Sequence, residues 1–418
     1  MTLAFGLATG VVQAATFTTL VHFNGVNGAH PGFDALTLRA DGFLYGTTGG
    51  GGASDGGTVF KMSTSGVLTT LASPSRYVTG ANSSGGVTFD AAGNIYGTAG
   101  GYGSSGLQGT LFKVVPNNTI SLLATFPSFV GLTEGLTTAS NGDMFGITQS
   151  GAIFKTTTGG TVTTLATVNQ ASIAQPMGQL TVDSAGNIYG TTESGGLGVS
   201  GFSNGFGTVF KLSNTGVLST LVAFTGLNGA NPSGKLVLDG DGNLFGTTRS
   251  GSGGTVFEIT SAGVLQTLAT FANNGGSVPT GGLLIDAAGN LFGTTLSGGP
   301  NNYGTVFELP KNGTLKTLAN FTGTNGREAY AGLTADADGN LYGTTTNGGA
   351  GSYGTIFKVG DAGFVPFAAP VPEPESWTLF ATGLAALAGL VRRRKATQVP
   401  LGPRPSGQWR CLRNGEGF

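Results

Sequence analysis

The acid most regularly placed in the chain is an aspartate followed three residues later by glycine: Asp90 with Gly93, Asp183 with Gly186, Asp239 with Gly242, Asp286 with Gly289 and Asp336 with Gly339. Two of these, Asp239-x-Asp241-x-Asn243 and Asp336-x-Asp338-x-Asn340, imitate the opening of a calcium loop, which also needs a bidentate glutamate at its twelfth position. Ser250 and Asn347 stand there instead, and the other three turns carry alanine where the second acid belongs. The pattern therefore reads as a tight hairpin, with Asp accepting turn amides and Gly taking the left-handed conformation, and no metal ligand is assigned.

Other reactive side chains are sparse. His22 falls on an edge-like strand and His30 in the loop after it, with no serine or cysteine nucleophile as a partner, so both read as surface or packing residues. Cys411 is the only cysteine, which excludes an internal disulfide and any multi-cysteine metal site. Glycine runs at 49–52 and 195–201 lack the Gly-Lys-Ser/Thr ending and the helix of a phosphate cradle. Glycoside hydrolysis needs a carboxylate pair, and the loop acids Glu134, Glu193 and Glu328 occupy non-equivalent places. No catalytic or cofactor-binding residue is assigned, and the chain is read as a non-enzyme. With 19 Lys and Arg against 20 Asp and Glu, it has no basic excess to neutralise phosphates, which argues against nucleic acid as a partner.

The elements that hold these residues repeat. An aromatic-Gly-Thr element occurs at Tyr45, Tyr96, Tyr189, Phe245, Phe292 and Tyr342, with a degenerate copy at Phe145-Gly146-Ile147. A second element, Gly57-Thr58-Val59-Phe60-Lys61, returns near 109, 151, 207, 254, 304 and 354. Each unit divides into four strands: the Gly-Thr-Val-Phe-Lys run, a Gly-Val-Leu-Thr-Thr-Leu run as at 66–71, a short apolar stretch such as Lys235 to Asp239, and an Asn-Leu-Phe-Gly-Thr-Thr run as at 243–248.

Adjacent bulky residues, Val209 with Phe210 and Leu244 with Phe245, point to opposite faces of a strand, so both faces must be buried. A single sandwich would solvate one face of each sheet, whereas radially stacked four-stranded sheets cover both. The predicted fold is all-β, a seven-bladed β-propeller over residues 16–368. The opening run, Phe17 to Phe23, should complete the blade begun by the last repeat. Phe364 to Phe367 is left open as a spare strand or a linker.

In such a blade the short turns, Ser213 to Thr215 and Asp286 to Gly289 for example, emerge on one face. The opposite face receives variable loops, from Gln149–Gly151 to Glu193–Phe206. Those loops carry Tyr77, Tyr102, Phe202, Phe206, Asn301, Asn302, Tyr303, Tyr330 and Tyr353. Aromatic faces beside asparagine amides suit sugar recognition, so the candidate ligand face is placed on Tyr102, Phe202, Phe206, Asn301, Asn302, Tyr303 and Tyr353.

The ends read as addresses. Residues 1–15 form an uncharged apolar run ending in small residues, a secretory signal with cleavage expected after Ala14 or Ala15 and a start codon lying upstream. Val371-Pro372-Glu373-Pro374 leads into the apolar run Trp377 to Val391 and then Arg392, Arg393, Arg394 and Lys395. This run predicts a short transmembrane-like helix, below the roughly 20 residues of a full span. Residues 371–395 resemble the PEP-CTERM sorting signal of Gram-negative exported proteins. That resemblance implies processing by an exosortase-like membrane protease, transient inner-membrane anchoring and release to the surface. Residues 396–418 read as a disordered tail. The repeats, as in Asp286-Ala-Ala-Gly-Asn-Leu-Phe-Gly-Thr-Thr followed by Gly304-Thr-Val-Phe-Glu, resemble the GloVer tandem repeat of bacterial surface proteins. Together these readings point to a secreted structural or binding module for extracellular polysaccharide, with a polysaccharide-active hydrolase or lyase as the alternative.

Overall fold

In every repeat the glycine of the aromatic-Gly-Thr element lies under the phenylalanine of the next strand. A Cβ on Gly246 would stand 2.6 Å from the Phe257 ring and 2.7 Å from Leu236 Cδ2, and the same collision with a phenyl ring recurs at Gly46, Gly97, Gly146, Gly190, Gly293 and Gly343. The absent side chain makes the slot that the ring fills. Phe60, Phe112, Phe154, Phe257, Phe307 and Phe357 are accordingly buried.

The computed structural model describes residues 14–75, 78–100, 109–126, 132, 134–168, 176–195, 205–271 and 275–367. Their strands form seven antiparallel sheets, each running from an inner strand outward. In the first blade Thr37–Leu38 pairs with Phe43–Gly50, which pairs with Thr58–Ser63 and then Leu68–Ala72. The seventh holds Thr334–Ala335, Leu341–Thr345 and Thr355–Gly360, and Thr16–His22 completes it, with Thr16 opposite Gly360 and His22 opposite Thr355. The expected closure is thus present.

The second and third strands are covered on both faces, as Leu341–Thr345 shows along its whole length. Each apolar cluster lies between neighbours: Phe245, Val256 and Phe271 of the fifth blade meet Leu283, Leu291 and Phe307 of the sixth. Full burial of one such side chain is worth about 1.5–3 kcal/mol, so a blade alone would expose much of what stabilises it. Inner-strand threonines tie blade to blade. Thr37 Oγ1 donates to the Val87 carbonyl at 2.9 Å, and Thr334 Oγ1 donates to Leu36 at 2.6 Å, joining the last blade to the first. The Gly-Thr elements also meet: the hydroxyls of Thr48 and Thr58 lie 2.9 Å apart, and those of Thr248 and Thr255 2.8 Å apart, all buried.

The aspartate turns are hairpins whose carboxylates are occupied. Asp183 Oδ1 accepts the Ala185 and Asn187 amides at 3.0 and 2.8 Å, while Oδ2 accepts Asn187 Nδ2 at 2.7 Å and the Tyr189 hydroxyl at 3.0 Å. Burial alone would raise this carboxyl, but the bonds from Asn187, Tyr189 and Ala185 outweigh it and hold the group below the usual range. Burial and the same aspartate push the Tyr189 hydroxyl up to about 12. Asp239 is spent likewise on Asp241 and Asn243. Among the described residues no three His, Cys, Asp or Glu side chains converge as metal ligands.

Two expectations need qualification. The described residues contain no helix, and the C-terminal helix expected over 377–391 lies outside them, as do residues 1–13 and 368–418. Phe364 to Phe367 is not a further strand. It lies along the short-turn face, where Val365 N donates to Asp286 Oδ2 at 3.1 Å, Ala287 N donates to Val365 O at 2.9 Å, and Phe364 packs 5.3 Å from the Phe292 ring. Asp286 Oδ2, which also accepts Asn290 Nδ2 at 2.9 Å, the Ala287 amide and the Phe292 ring hold the segment there instead of at a sheet edge.

Gly246→Ala should cost about 1–3 kcal/mol by overpacking, and Phe257→Ala about 3–5 kcal/mol by emptying the slot, both read from urea unfolding. A neutral Gly246→Ala would contradict the slot.

Candidate functional site

The inner strands surround an axial cavity of about 1070 Å³. At the short-turn end it is lined by Ala337, Phe364, Pro366 and Phe367, and toward the loop face by Asp34, Glu134, Gln179, Lys235 and Arg249. Strand pairing aligns the inner strands through Thr37, Thr88, Thr137, Thr181, Val237, Leu284 and Thr334, each opposite the aromatic of its aromatic-Gly-Thr element. One residue earlier stands a buried Leu or Val. The two positions before that are Gly-Gly in the second and sixth blades and Ala331-Gly332 in the seventh. In the remaining four they include Asp34, Glu134, Gln179 and Lys235. Small residues are thus replaced by polar groups at two adjacent positions of the inner strands, Asp34 and Glu134 at the first and Gln179 and Lys235 at the second.

These groups are held by backbone. Asp34 Oδ2 accepts the amides of Gly86 and Gly135, each at 2.6 Å, so one carboxylate joins three blades. A Cβ on Gly135 would lie 2.6 Å from that oxygen, so glycine is required there. The Glu134 carbonyl accepts Thr98 Oγ1 at 2.8 Å, which fixes the start of its strand. Burial, then the charge of Asp34 and a hydrogen bond between the two side chains, push the Glu134 carboxyl well above the usual carboxylate range; the Gly178 amide offsets this in part. Glu134 is therefore the member of the pair that keeps its proton. Lys235 is reached by channel water yet enclosed by the ring; enclosure lowers its pKa, with Asp34 acting in the opposite sense. Gln179 Nε2 donates to the Leu136 carbonyl at 2.8 Å. Arg249 Nη1 meets Glu193 Oε1 at 2.5 Å, a pair formed between equivalent positions of adjacent blades. Phe33 and Tyr330 pack edge to face with centroids 5.2 Å apart at the same mouth.

Of the loop residues singled out from sequence, Tyr330 and Glu134 line this cavity, and the candidate ligand-face residues lie elsewhere or outside the described residues. Tyr102 and Phe202, like Tyr77, fall outside the described residues. Phe206, Tyr303 and Tyr353 occupy equivalent positions just before the Gly-Thr element, where their rings pack near Gly226, Gly323 and Gly25 and their carbonyls accept the amides of Asn231, Glu328 and His30. Asn302 Oδ1 accepts the Gly298 amide at 2.8 Å, and Asn301 is exposed beside it. None of the described ligand-face candidates lines the axial cavity. His22 Nδ1 accepts the Ala350 amide at 3.2 Å, and His30 Nδ1 lies 3.1 Å from the Thr346 carbonyl.

Comparison with known proteins follows the repeats. The Gloeobacter/Verrucomicrobia repeat model matches residues 5–151, 133–283 and 198–366. The chain belongs to the Gloeobacter/Verrucomicrobia repeat family. The PEP-CTERM protein-sorting motif matches residues 370–395. No curated protein matches the sequence. Among solved structures the chain is similar to a streptogramin B lyase at 16% identity and TM-score 0.59, over 82% of this chain and 97% of that one. It is similar also to virginiamycin B lyase from Staphylococcus aureus at 12% identity and TM-score 0.55, over 82% and 98%. The extracellular domain of a protein described as a hybrid two component system from B. thetaiotaomicron matches at 11% identity and TM-score 0.53, over 81% and 39%. At these identities the likeness shows the fold alone.

For this Gloeobacter/Verrucomicrobia repeat protein the channel mouth was accessible to sequence reading through one signal: alignment of the repeats on the inner strand, where glycine gives way to Asp, Glu, Gln and Lys. Those positions are inconspicuous because they sit inside short apolar stretches rather than in the long loops.

The protonation of Glu134 has a measurable sign. Its folded value lies above the ordinary 4.5, so its contribution to stability is complete below that pH and is lost as pH rises through the folded value. Glu134→Gln keeps a donor toward Asp34 and an acceptor for Gly178. It should match the parent near pH 4 and unfold at a higher urea concentration at pH 8. Lower stability at pH 8 would show that the group is not a buried acid.

Proposed function

We propose that this repeat-family propeller is an exported, surface-sorted binding module whose ligand site is the channel mouth, and that the ligand is a saccharide of the extracellular polymer. The observation that carries the reading is the replacement of glycine by Asp34 and Glu134 at one inner-strand position and by Gln179 and Lys235 at the next, all lining the axial cavity. Asp34 and Gln179 also brace neighbouring blades, but Lys235 makes no ion pair among the described residues, and a pure scaffold has no use for a charge in the channel that adds nothing to the blade contacts. Donors and acceptors beside the Phe33 and Tyr330 rings suit the hydroxyls and apolar faces of sugars. The outer loop residues Asn301, Asn302, Tyr303 and Tyr353 are assigned a secondary role along a longer chain.

The PEP-CTERM motif implies export and surface sorting in a Gram-negative bacterium and recognition by an exosortase. We infer transient anchoring through residues 377–391 before release. A signal cut after Ala14 or Ala15 leaves Thr16, the first residue of the strand that completes the seventh blade, free to pair.

A second reading, a polysaccharide-active enzyme, is favoured by one observation: the Glu134 carboxyl lies against Asp34 in the cavity that Lys235 also lines, an arrangement that pushes the Glu134 carboxyl above the usual range. Glycosidase carboxyls stand about 5–9.5 Å apart, too far for the direct hydrogen bond of Glu134 to Asp34, so elimination rather than hydrolysis would be the chemistry. Two of the solved structures that share the fold carry the name lyase.

A glycan array with the secreted protein, run beside turnover assays, separates these. Selective binding without turnover, weakened at least tenfold (about 1.4 kcal/mol) by Lys235→Ala and little changed by Tyr353→Ala, is the expected result. Turnover abolished by Glu134→Gln would establish the enzyme, and loss on Tyr353→Ala alone would move the site to the loops. Mass spectrometry of secreted material should find no peptides beyond the Pro372-Glu373-Pro374 region; Cys411 peptides outside the cell would refute the processing.

A further inference from the structure

The fifth blade carries three donors that the fold itself leaves unused. Ser233 is 4% exposed, and its hydroxyl has no hydrogen-bond partner among the described residues. Arg249 Nε is equally covered and equally unpartnered, although its Nη1 is held by Glu193. Ser233 stands opposite Thr247 in the strand pairing, and Arg249 follows Thr247 by two residues, which places Ser233 and Arg249 on one side of the blade. Lys235 follows Ser233 by two and enters the same cavity, and among the described residues its ammonium makes no ion pair within 4.0 Å. Gly282 of the next blade leaves room beside it, since a Cβ there would come within 3.1 Å of Lys235 Cβ.

An orphaned buried hydroxyl and an orphaned guanidinium N–H each cost free energy unless a ligand supplies the acceptor. All three groups are donors, and two carry positive charge. The negative groups that face them are Asp34, whose Oδ2 is taken by two amides, and Glu193, which is taken by Arg249.

We propose that Ser233, Lys235 and Arg249 form a subsite for the carboxylate of an acidic sugar, so that the saccharide bound at the channel mouth is a uronate. The assignment rests on the binding reading above and narrows it. A carboxylate presents two coplanar oxygens, which matches the fork of an arginine edge beside a hydroxyl and an ammonium.

The test compares oligogalacturonate with its carboxyl-reduced counterpart on the full secreted protein by calorimetry. Oligogalacturonate should bind at least tenfold tighter, with an affinity that falls as salt is raised. Lys235→Ala and Ser233→Ala should each weaken oligogalacturonate far more than the reduced chain and so remove most of that preference, and Lys235→Arg should keep part of it. Equal binding of the two chains, or an unchanged preference in Lys235→Ala of parental stability, overturns the subsite while leaving a neutral-sugar module standing. Preference for a sulfated chain over oligogalacturonate also overturns it. Absence of binding by every saccharide overturns both this subsite and the reading on which it rests.

Discussion

A phenyl ring seated on a glycine backbone is the contact on which the ring of blades depends. The slot beneath Phe257 exists because Gly246 has no side chain, and Leu236 from the inner strand closes it from the axis. Three of the four strands in a blade therefore meet at one point. Because the ring and its neighbours are covered only when the adjacent blade is present, the stability of each sheet is a property of the pair. Closure by Thr16–His22 follows from the same demand, since an unfinished seventh blade would leave Phe357 and Ile356 without their outer neighbour.

The inner strands obey a different constraint. Near the axis the blades crowd, and small residues at the start of each inner strand let backbones approach: a Cβ on Gly281 would lie 2.5 Å from the Ala331 carbonyl. A polar side chain there has one direction in which to go, into the channel. Asp34 illustrates the result, for it reaches across to the amides of Gly86 and Gly135 and becomes a brace between blades as well as a charge at the mouth. Glu134 acquires its proton from that arrangement, because a second negative charge so near the first is disfavoured.

How much of this can be read from residues alone varies with the kind of interaction. The blade count, the strand order and the closure are legible because Tyr45-Gly46-Thr47 and Gly57-Thr58-Val59-Phe60 recur in a fixed phase, and because paired bulky residues demand two-sided burial. The aspartate turns are legible for the same reason: Asp183 and Gly186 carry local chemistry that needs no distant partner. The channel mouth is harder. Asp34 and Glu134 are a hundred residues apart and neighbours only once the ring closes, and nothing local to either announces the other. The aromatic loop residues mislead in the opposite way, since Phe206, Tyr303 and Tyr353 look like contact residues in sequence and in the ring cover glycines of the following loop.

The strap at Phe364 to Phe367 gives the channel two unlike ends. One end opens among polar groups; the other has Phe364, Pro366 and Phe367 laid against the turn at Asp286. The strap is held there by one backbone hydrogen bond, one bond from Val365 N to the Asp286 carboxylate and an aromatic contact. For the proposed saccharide, two ends this unlike suit the tips of chains and their short side branches better than the middle of a continuous strand.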